Sequence, residues 1–432
     1  MRSAIALVTC LTLASVAEGR AQTDSLAAVA RDRYRRAVQA ADAGALAQAR
    51  DLMVEAHRAW PTQIAYLTAA ARLSARLADT AATAQWLGAI VELGLTTPLD
   101  GDSALAAVAR APALAAVTRQ IRANAEPLAA GRTLVTDAPA DFYPEGVDFD
   151  PQSNEWLLAS IRKRTVVRVR ADGRIAPFAR SANPPLDAVL AVRVDRARDR
   201  VWVTTRVLPA MEGYRPGQPN RARVVALNRT TGEMIAAADA PEDGAPHLFG
   251  DLVIHRSGVA YFTDSESPVL YRATLSEGHV AIEVVAKHRL FRSLQGLAFD
   301  DSGERLYLAD YSHGLLEVDP ATGTVRHLPP PPGTSLLGID GMVWKDNSLI
   351  AIQNGVSPAR VLRVRLSGGQ VDRVEVLDRN PAVADEPTIG TLAGDQFVYV
   401  ANSQWEKYQD DGRLKPGARL VAPILIAVPL RP

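Results

Sequence analysis

From Glu145 to the C-terminus, apolar and polar positions repeat one pattern six times. A small or polar residue opens an apolar strand, a Gly/Asp turn follows, and a second apolar strand ends in a polar residue. The openings are EGVDFD from Glu145, LAVRVD from Leu190, GDLVIH from Gly250, QGLAFD from Gln295, DGMVWK from Asp340 and IGTLAG from Ile389. Successive openings lie 45, 60, 45, 45 and 49 residues apart. Second strands follow as WLLAS, VWVTT, AYFTD, LYLAD, LIAIQN and VYVAN, and turn chemistry such as RADGR, NRTTGE, DPATGT and LSGGQ marks a third and fourth strand in most units. Several strands in a period of about 40 to 50 residues are the mark of propeller blades. The expected fold is therefore mainly β: a six-bladed β-propeller over 132–432. The last unit runs out after one further strand, Leu420–Pro429, and the spare strand RTLVTD (Arg132–Asp137) is expected to supply its missing edge.

Ahead of the propeller, 25–126 is rich in Ala, Leu and Arg at helical spacing. ALAQARDLMVEAHRAWP (Ala45–Pro61) and the stretch from Asp79 align at an offset of 35, which sets Ala49 on Ala84, Leu52 on Leu87 and Ala56 on Val91. The pattern is similar to a tetratricopeptide repeat, with a plain helical bundle as the rival reading. A further helical stretch, Ser103–Asn124, would cap it. The expectation is a small N-terminal all-α, helical-repeat-like domain. Arg2, the apolar stretch Ala4–Ala17 and the small residues at Gly19 and Ala21 read as a signal peptide over 1–21. The one cysteine, Cys10, falls inside it. Export without disulfides predicts a periplasmic or secreted protein.

Lys plus Arg and Asp plus Glu number 48 each, so no nucleic-acid footprint is expected, and no apolar run after the N-terminus is long enough to span a bilayer. The proline run Pro329–Pro332 reads as a stiff loop between blades.

Antiparallel blades bring the start of each innermost strand and the end of the second strand to one rim. The inner set is then Glu145, Leu190, Gly250 with Asp251, Gln295, Asp340 and Glu386. The outer set is Ser160, Thr205, Asp264, Asp310, Asn354 and Asn402. Asp264 and Asp310 are also typical turn caps. Carboxylates and amides without cysteine suit a hard divalent cation such as Ca2+, which takes six to eight oxygens. Two long loops, Arg206–Ala222 and Ser403–Arg419, should rise over the same rim and offer Tyr214, Arg215, Trp405 and Tyr408 as walls. His313 is the leading histidine for proton transfer and His247 the second, with a plain hydrogen-bonded loop residue as the alternative.

PEGVDFD (Pro144–Asp150), GDLVIHRSGVAYFTD (Gly250–Asp264), LQGLAFDDSGERLYLADY (Leu294–Tyr311), IDGMVWKDNSLI (Ile339–Ile350) and DEPTIGTLAGDQFVYVANS (Asp385–Ser403) follow one another in an order that resembles the senescence-marker-protein/gluconolactonase family. More distantly they resemble paraoxonases and diisopropylfluorophosphatase. The resemblance covers about Asp141–Asn402. It implies a six-bladed propeller with calcium in its channel that hydrolyses lactones or related esters, the metal held by a Glu, two Asn and an Asp. Glu145 matches the Glu and Asp340 the Asp. The first Asn position falls on Gly250, beside Asp251, and the second on Gln295.

The expected function is a calcium-dependent lactone or ester hydrolase. Its metal ligands would be Glu145, Asp251, Gln295 and Asp340, with Asp340 and His313 in catalysis. The rival is a non-enzymatic scaffold that binds a protein or carbohydrate partner, with the helical domain offering a surface for a protein.

Overall fold

The computed structural model describes residues 26–61, 63–179 and 186–431. The expected signal peptide and Cys10 lie outside the described residues. Two compact units emerge. One holds the N-terminal helices to Glu126 together with Pro330–Leu337 and Val356–Pro358, and the other the remaining chain from Pro127.

In the first unit, α1 occupies 26–42, followed by α2 (Leu46–Ala59), α3 (Ile64–Arg76), α4 (Thr80–Glu92), α5 (Ser103–Val108) and α6 (Ala115–Ala125). Side-chain oxygens start three of them, and Gln63 Oε1 accepts from Ala65 N at 3.3 Å at the head of α3. Asp79 accepts from Ala82 N at 3.0 Å and Asp102 from Ala104 N and Leu105 N at 3.0 Å, each satisfying orphan N–H groups of a first turn. The core is a stripe of Leu67, Ala71, Leu87, Ile90, Leu95, Leu105 and Leu114, and Val356 is buried in it. Thr96 N donates to Ser357 O at 2.6 Å. The helical stretch Ser103–Asn124 forms two helices, because Pro112 opens a separate 3-10 turn, Pro112–Leu114, between α5 and α6. Pro329–Pro332 does join two blades, and from Pro330 on it groups with the helices. No helix among the described residues is long and apolar enough to cross a membrane.

The second unit is a six-bladed propeller of four-stranded antiparallel sheets. A lone first strand, β1 (Arg132–Val135), precedes blade one, which is β2 (Pro144–Asp150), β3 (Glu155–Ser160), β4 (Thr165–Val169) and β5 (Ile175–Ala179). Blade two is β6 (Ala188–Asp195), β7 (Arg200–Arg206), β8 (Ala222–Asn228) and β9 (Met234–Asp239). Blade three is β10 (Phe249–Ile254), β11 (Ala260–Asp264), β12 (Val269–Ser276) and β13 (His279–Ala286). Blade four is β14 (Leu294–Phe299), β15 (Leu306–Asp310), β16 (Gly314–Val318) and β17 (Val325–Leu328). Blade five is β18 (Ile339–Lys345), β19 (Ser348–Gln353), β20 (Arg360–Ser367) and β21 (Gln370–Arg379). Blade six is β22 (Gly390–Ala393), β23 (Gln396–Val400) and β24 (Ile424–Pro429), completed by β1, which pairs Arg132 with Ala427 and Val135 with Ile424. The N-terminal strand thus closes the ring as expected and removes an open edge.

The core lies between neighbouring blades. Leu157, Ala159 and Val166 of blade one pack on Val192, Val203 and Val225 of blade two, while Ile350 and Ile352 of blade five meet Phe397, Tyr399 and Ile426 of blade six. Strands buried on both faces read as apolar runs rather than alternations, which is why WLLAS and LIAIQ look alike in sequence. The two long loops also meet one another. Val207, Met211 and Tyr408 share an apolar cluster with Tyr143 and Leu190, and a Cβ on Gly412 would fall 2.2 Å from Pro209 C.

Gly88 lies in α4 with nothing within 4 Å of an added Cβ and no positive φ. Gly88→Ala should therefore raise stability by about 0.5–1 kcal/mol, since glycine costs that much in a helix interior. A denaturation midpoint unchanged or lowered would contradict this packing.

Candidate active site at the channel mouth

Five of the six innermost strands slip register at the same place. The shifts fall between Pro144 and Val147, Val189 and Val192, Phe249 and Leu252, Leu294 and Leu297, and Ile339 and Met342. Each is a bulge of two residues, which disrupts the ladder and re-aims a side chain. The first residues of the bulges are Glu145, Leu190, Gly250, Gln295 and Asp340. All five, with Ile389 of blade six, line one cavity of about 300 Å³.

In three blades the second residue of the bulge is a glycine that faces the next blade with almost no room. A Cβ on Gly146 would fall 2.5 Å from Leu190 O, on Gly296 2.3 Å from Asp340 O, and on Gly341 2.8 Å from Ile389 Cα. The pairs Glu-Gly, Gln-Gly and Asp-Gly therefore have two separate causes: a polar group turned into the cavity, then the absence of a side chain where backbones touch.

Four carboxylates reach this cavity, from Glu145, Asp251, Asp340 and Glu386, and no Lys, Arg or His lines it. Glu145 Oε2 accepts from Trp405 Nε1–H at 2.8 Å. Asn354 Nδ2 donates to Asp340 Oδ2 at 2.7 Å and to Pro387 O at 2.8 Å, while its Oδ1 accepts from Tyr311 O–H at 2.9 Å. Gln295 Nε2 donates to Ser293 Oγ at 3.2 Å. Asp251 is set apart. Arg193 Nη2 donates to both its oxygens, at 2.9 and 3.2 Å, and Nη1 caps the carbonyls of Val147 and Val192 at 3.0 Å.

Burial and mutual repulsion raise the acids. Burial pushes Asp340 up to about 7, helped by the charges of Asp251 and Glu386 and opposed by the Asn354 hydrogen bond. Glu145 is pushed well above the usual carboxylate range by burial and by Asp340, against the Trp405 hydrogen bond. Glu386 is raised by burial as well. Uncompensated buried carboxylates must take a proton or a cation.

The oxygen chemistry fits a hard cation, with limits. Among the described residues no three His, Cys, Asp or Glu side chains stand close enough to form a metal cage alone. Glu145 and Asp340 each keep one oxygen free of hydrogen bonds among the described residues, and the Gln295 carbonyl is a third donor in the same cavity. Asp251, expected as a ligand, has its charge met by Arg193.

His313 does not join Asp340. It is 4% exposed, its Nδ1 donates to Leu290 O at 2.7 Å, and it is absent from the cavity wall. The cause is the turn after β15: Asp310 accepts from the N–H groups of Arg292, Ser293, Ser312 and His313, and this fold-back brings the ring to Leu290 O. His247 is held between Asp264, at 2.6 Å, and Asp243, at 3.0 Å. Burial lowers its pKa, and these two carboxylates raise it further, for a net increase. Of the outer set only Asn354 reaches the cavity. Asp264 and Asp310 cap turns, Ser160 bonds Lys163 N at 2.9 Å, and Asn402 bonds Ala422 O at 3.0 Å. Of the loop aromatics only Trp405 lines the cavity. Tyr408 stacks on Tyr143 with ring centroids 4.6 Å apart. Arg193, Tyr311 and Ser403 are contributions not anticipated from sequence, although a lone arginine inside the innermost strand LAVRVD is a signal in itself.

No family model matches the chain, and no curated protein matches it. Solved structures do. A gluconolactonase from Xanthomonas campestris is 16% identical over 71% of this chain and 93% of its own, with a TM-score of 0.47. A virginiamycin B lyase from Staphylococcus aureus is 12% identical over 62% and 80%, at 0.42. The WD40 repeats of RRP9 are 12% identical over 71% and 100%, at 0.44.

Asp340 binds its proton more tightly folded than unfolded, where its pKa is 3.8. Its contribution to stability is therefore complete below pH 3.8 and is lost as pH rises through about 7. In divalent-free buffer the Asp340→Asn variant should show a flatter decline of the melting midpoint across that window than the wild type. An identical slope would show that Asp340 is not buried beside its neighbours' charge. Separately, Gly296→Ala should cost about 1–3 kcal/mol by overpacking against Asp340, measurable by chemical denaturation.

Proposed function

We propose that the channel mouth is the active site of a calcium-dependent hydrolase acting on a lactone or related ester. The observation that carries this reading is the concentration of Glu145, Asp340 and Glu386 in one cavity whose wall holds no cationic side chain. Glu145, Asp340 and the Gln295 carbonyl would hold the ion. When bound, a hard divalent cation polarises a carbonyl oxygen and offsets the charge that develops on it.

The chain's own groups do the rest. Leu190, Leu248, Ile389 and Trp405 give the cavity an apolar side for the carbon skeleton of a neutral substrate. Trp405 fixes Glu145, and the Tyr311–Asn354 pair fixes Asp340. Asp340 would take the proton of the water that attacks the carbonyl carbon and pass it to the alkoxide that leaves. His313 has no part in this scheme. Export to the periplasm, inferred from the N-terminal sequence, belongs to the same proposal and would supply calcium at extracytoplasmic concentrations.

A second reading, a binding scaffold without catalysis, is favoured by two observations. Gly250 offers no donor at its bulge, and Arg193 occupies Asp251. Calorimetry with Ca2+ on the mature protein and a screen of lactones and esters separate the two. Calcium binding weakened about tenfold or more in Glu145→Gln and in Asp340→Asn, with hydrolysis lost in both, is the expected result. Calcium binding without hydrolysis of any lactone or ester selects the scaffold, and no binding at millimolar calcium overturns the cation site.

A further inference from the structure

On the outer strands of four blades, a cation faces an anion directly across the ladder. The pairs are Arg223 with Asp239, Arg272 with Glu283, Glu317 with Arg326, and Arg363 with Glu375. Their ion-pair distances are 2.8, 2.7, 2.6 and 3.3 Å. Unlike charges in this position stabilise a sheet, and like charges destabilise it.

One rung further along blade five the rule is broken. Arg365 faces Arg373, both are exposed, and neither has an ion-pair partner among the described residues. A second like-charge rung on the outer strands of blade five, Arg360 with Arg379, sits in a separate cavity beside Asp378 and Asp385.

The arginines stand over a shaped hollow. Ser348, Arg365 and Arg373 are in register across β19, β20 and β21, and Ile350, Arg363 and Glu375 form the neighbouring rung. With Lys345, Asp346 and Leu430 they line a cavity of about 250 Å³. Its floor is buried Ile350, Ser348 and Leu430. Glu375 is engaged by Arg363, and Asp346 lies 3.7 Å from Lys345 with its side chain 87% exposed. Two guanidinium groups are left uncompensated.

We propose that this hollow on blade five binds a dianionic tetrahedral oxyanion, the phosphate of a phosphomonoester, between Arg365 and Arg373. Guanidinium forks suit bidentate contact with phosphate oxygens, and a dianion converts a repulsive rung into a bridged one. The attraction is local, because the chain carries 48 cationic and 48 anionic residues. A soluble phosphate ester and a phosphomonoester lipid headgroup present the same group.

The test uses the full mature protein with inorganic phosphate and pyrophosphate in thermal-shift titrations, and with phosphatidylcholine vesicles with and without phosphatidic acid in sedimentation. The paired substitution Arg365→Gln with Arg373→Gln should weaken the response about tenfold or more, while Arg272→Gln leaves it unchanged. Arg373→Glu supplies an acid opposite Arg365, so it should raise the melting midpoint in phosphate-free buffer and abolish the phosphate response. A soluble-probe response lost in the paired variant assigns the site to a phosphate ester. Vesicle binding that needs phosphatidic acid and is lost in that variant assigns it to a headgroup. No response to either probe in the wild type, or an equal response in the paired variant, overturns the site.

Discussion

The close approach of six innermost strands around one channel is the constraint on which the rest of the propeller depends. Where they converge, backbone touches backbone, and a Cβ on Gly146, Gly296 or Gly341 would enter the next blade. The bulge just before that contact leaves its first residue outside the ladder. Neighbouring blades then fix the bulges through buried threonines. Thr204 Oγ1 donates to Gly250 O at 2.7 Å, Thr263 Oγ1 to Gln295 O at 2.9 Å, and Thr388 Oγ1 to Glu145 O at 2.9 Å. A packing requirement thereby becomes a ring of side chains held on hydrogen-bonded backbone, the rigid support that a binding constellation needs.

That ring has an electrostatic cost. Acids from separate blades share a buried space: beyond burial, the charges of Asp340, Glu386 and Asp251 raise Glu145, and those of Asp251 and Glu386 raise Asp340. The molecule answers the cost in one place by its own means: Arg193, 8% exposed, meets Asp251 and two backbone carbonyls. Glu145 and Asp340 receive only neutral donors, from Trp405 and Asn354. Within a single cavity, one acid is thus met by an arginine and two are met by neutral donors among the described residues.

Much of this was legible in the chain. Blade period, the closing strand RTLVTD and the positions of Glu145, Gln295 and Asp340 all follow from repeats, because a period fixes equivalent positions without knowledge of contacts. What stayed hidden depends on side-chain direction or on distant partners. His313 follows a second strand on the expected rim, yet a turn organised by Asp310 aims it at Leu290 O. Arg193 and Asp251 are 58 residues apart, and Trp405 and Glu145 are 260 apart. No local pattern pairs them. The helical stretch after Ser103 is divided for a different reason: helical composition persists across Pro112, while the proline breaks the hydrogen-bonding that composition suggests.

Formal neutrality conceals a separation of charge. Glu145, Asp340 and Glu386 have no ion-pair partner among the described residues at the channel mouth, and Arg365 and Arg373 have none on the outer strands of blade five. Four blades pair an Arg with an Asp or Glu across their outer strands, whereas an unmatched charge costs stability where it stands. Random surface variation scatters such costs. Here each is gathered over a hollow with a well-packed floor, in one case among bulged inner strands and in the other across three consecutive outer strands. A cost confined to a concave site, on a scaffold that offsets charge elsewhere by short ion pairs, is one that the proposed ligand of opposite sign would relieve in each case.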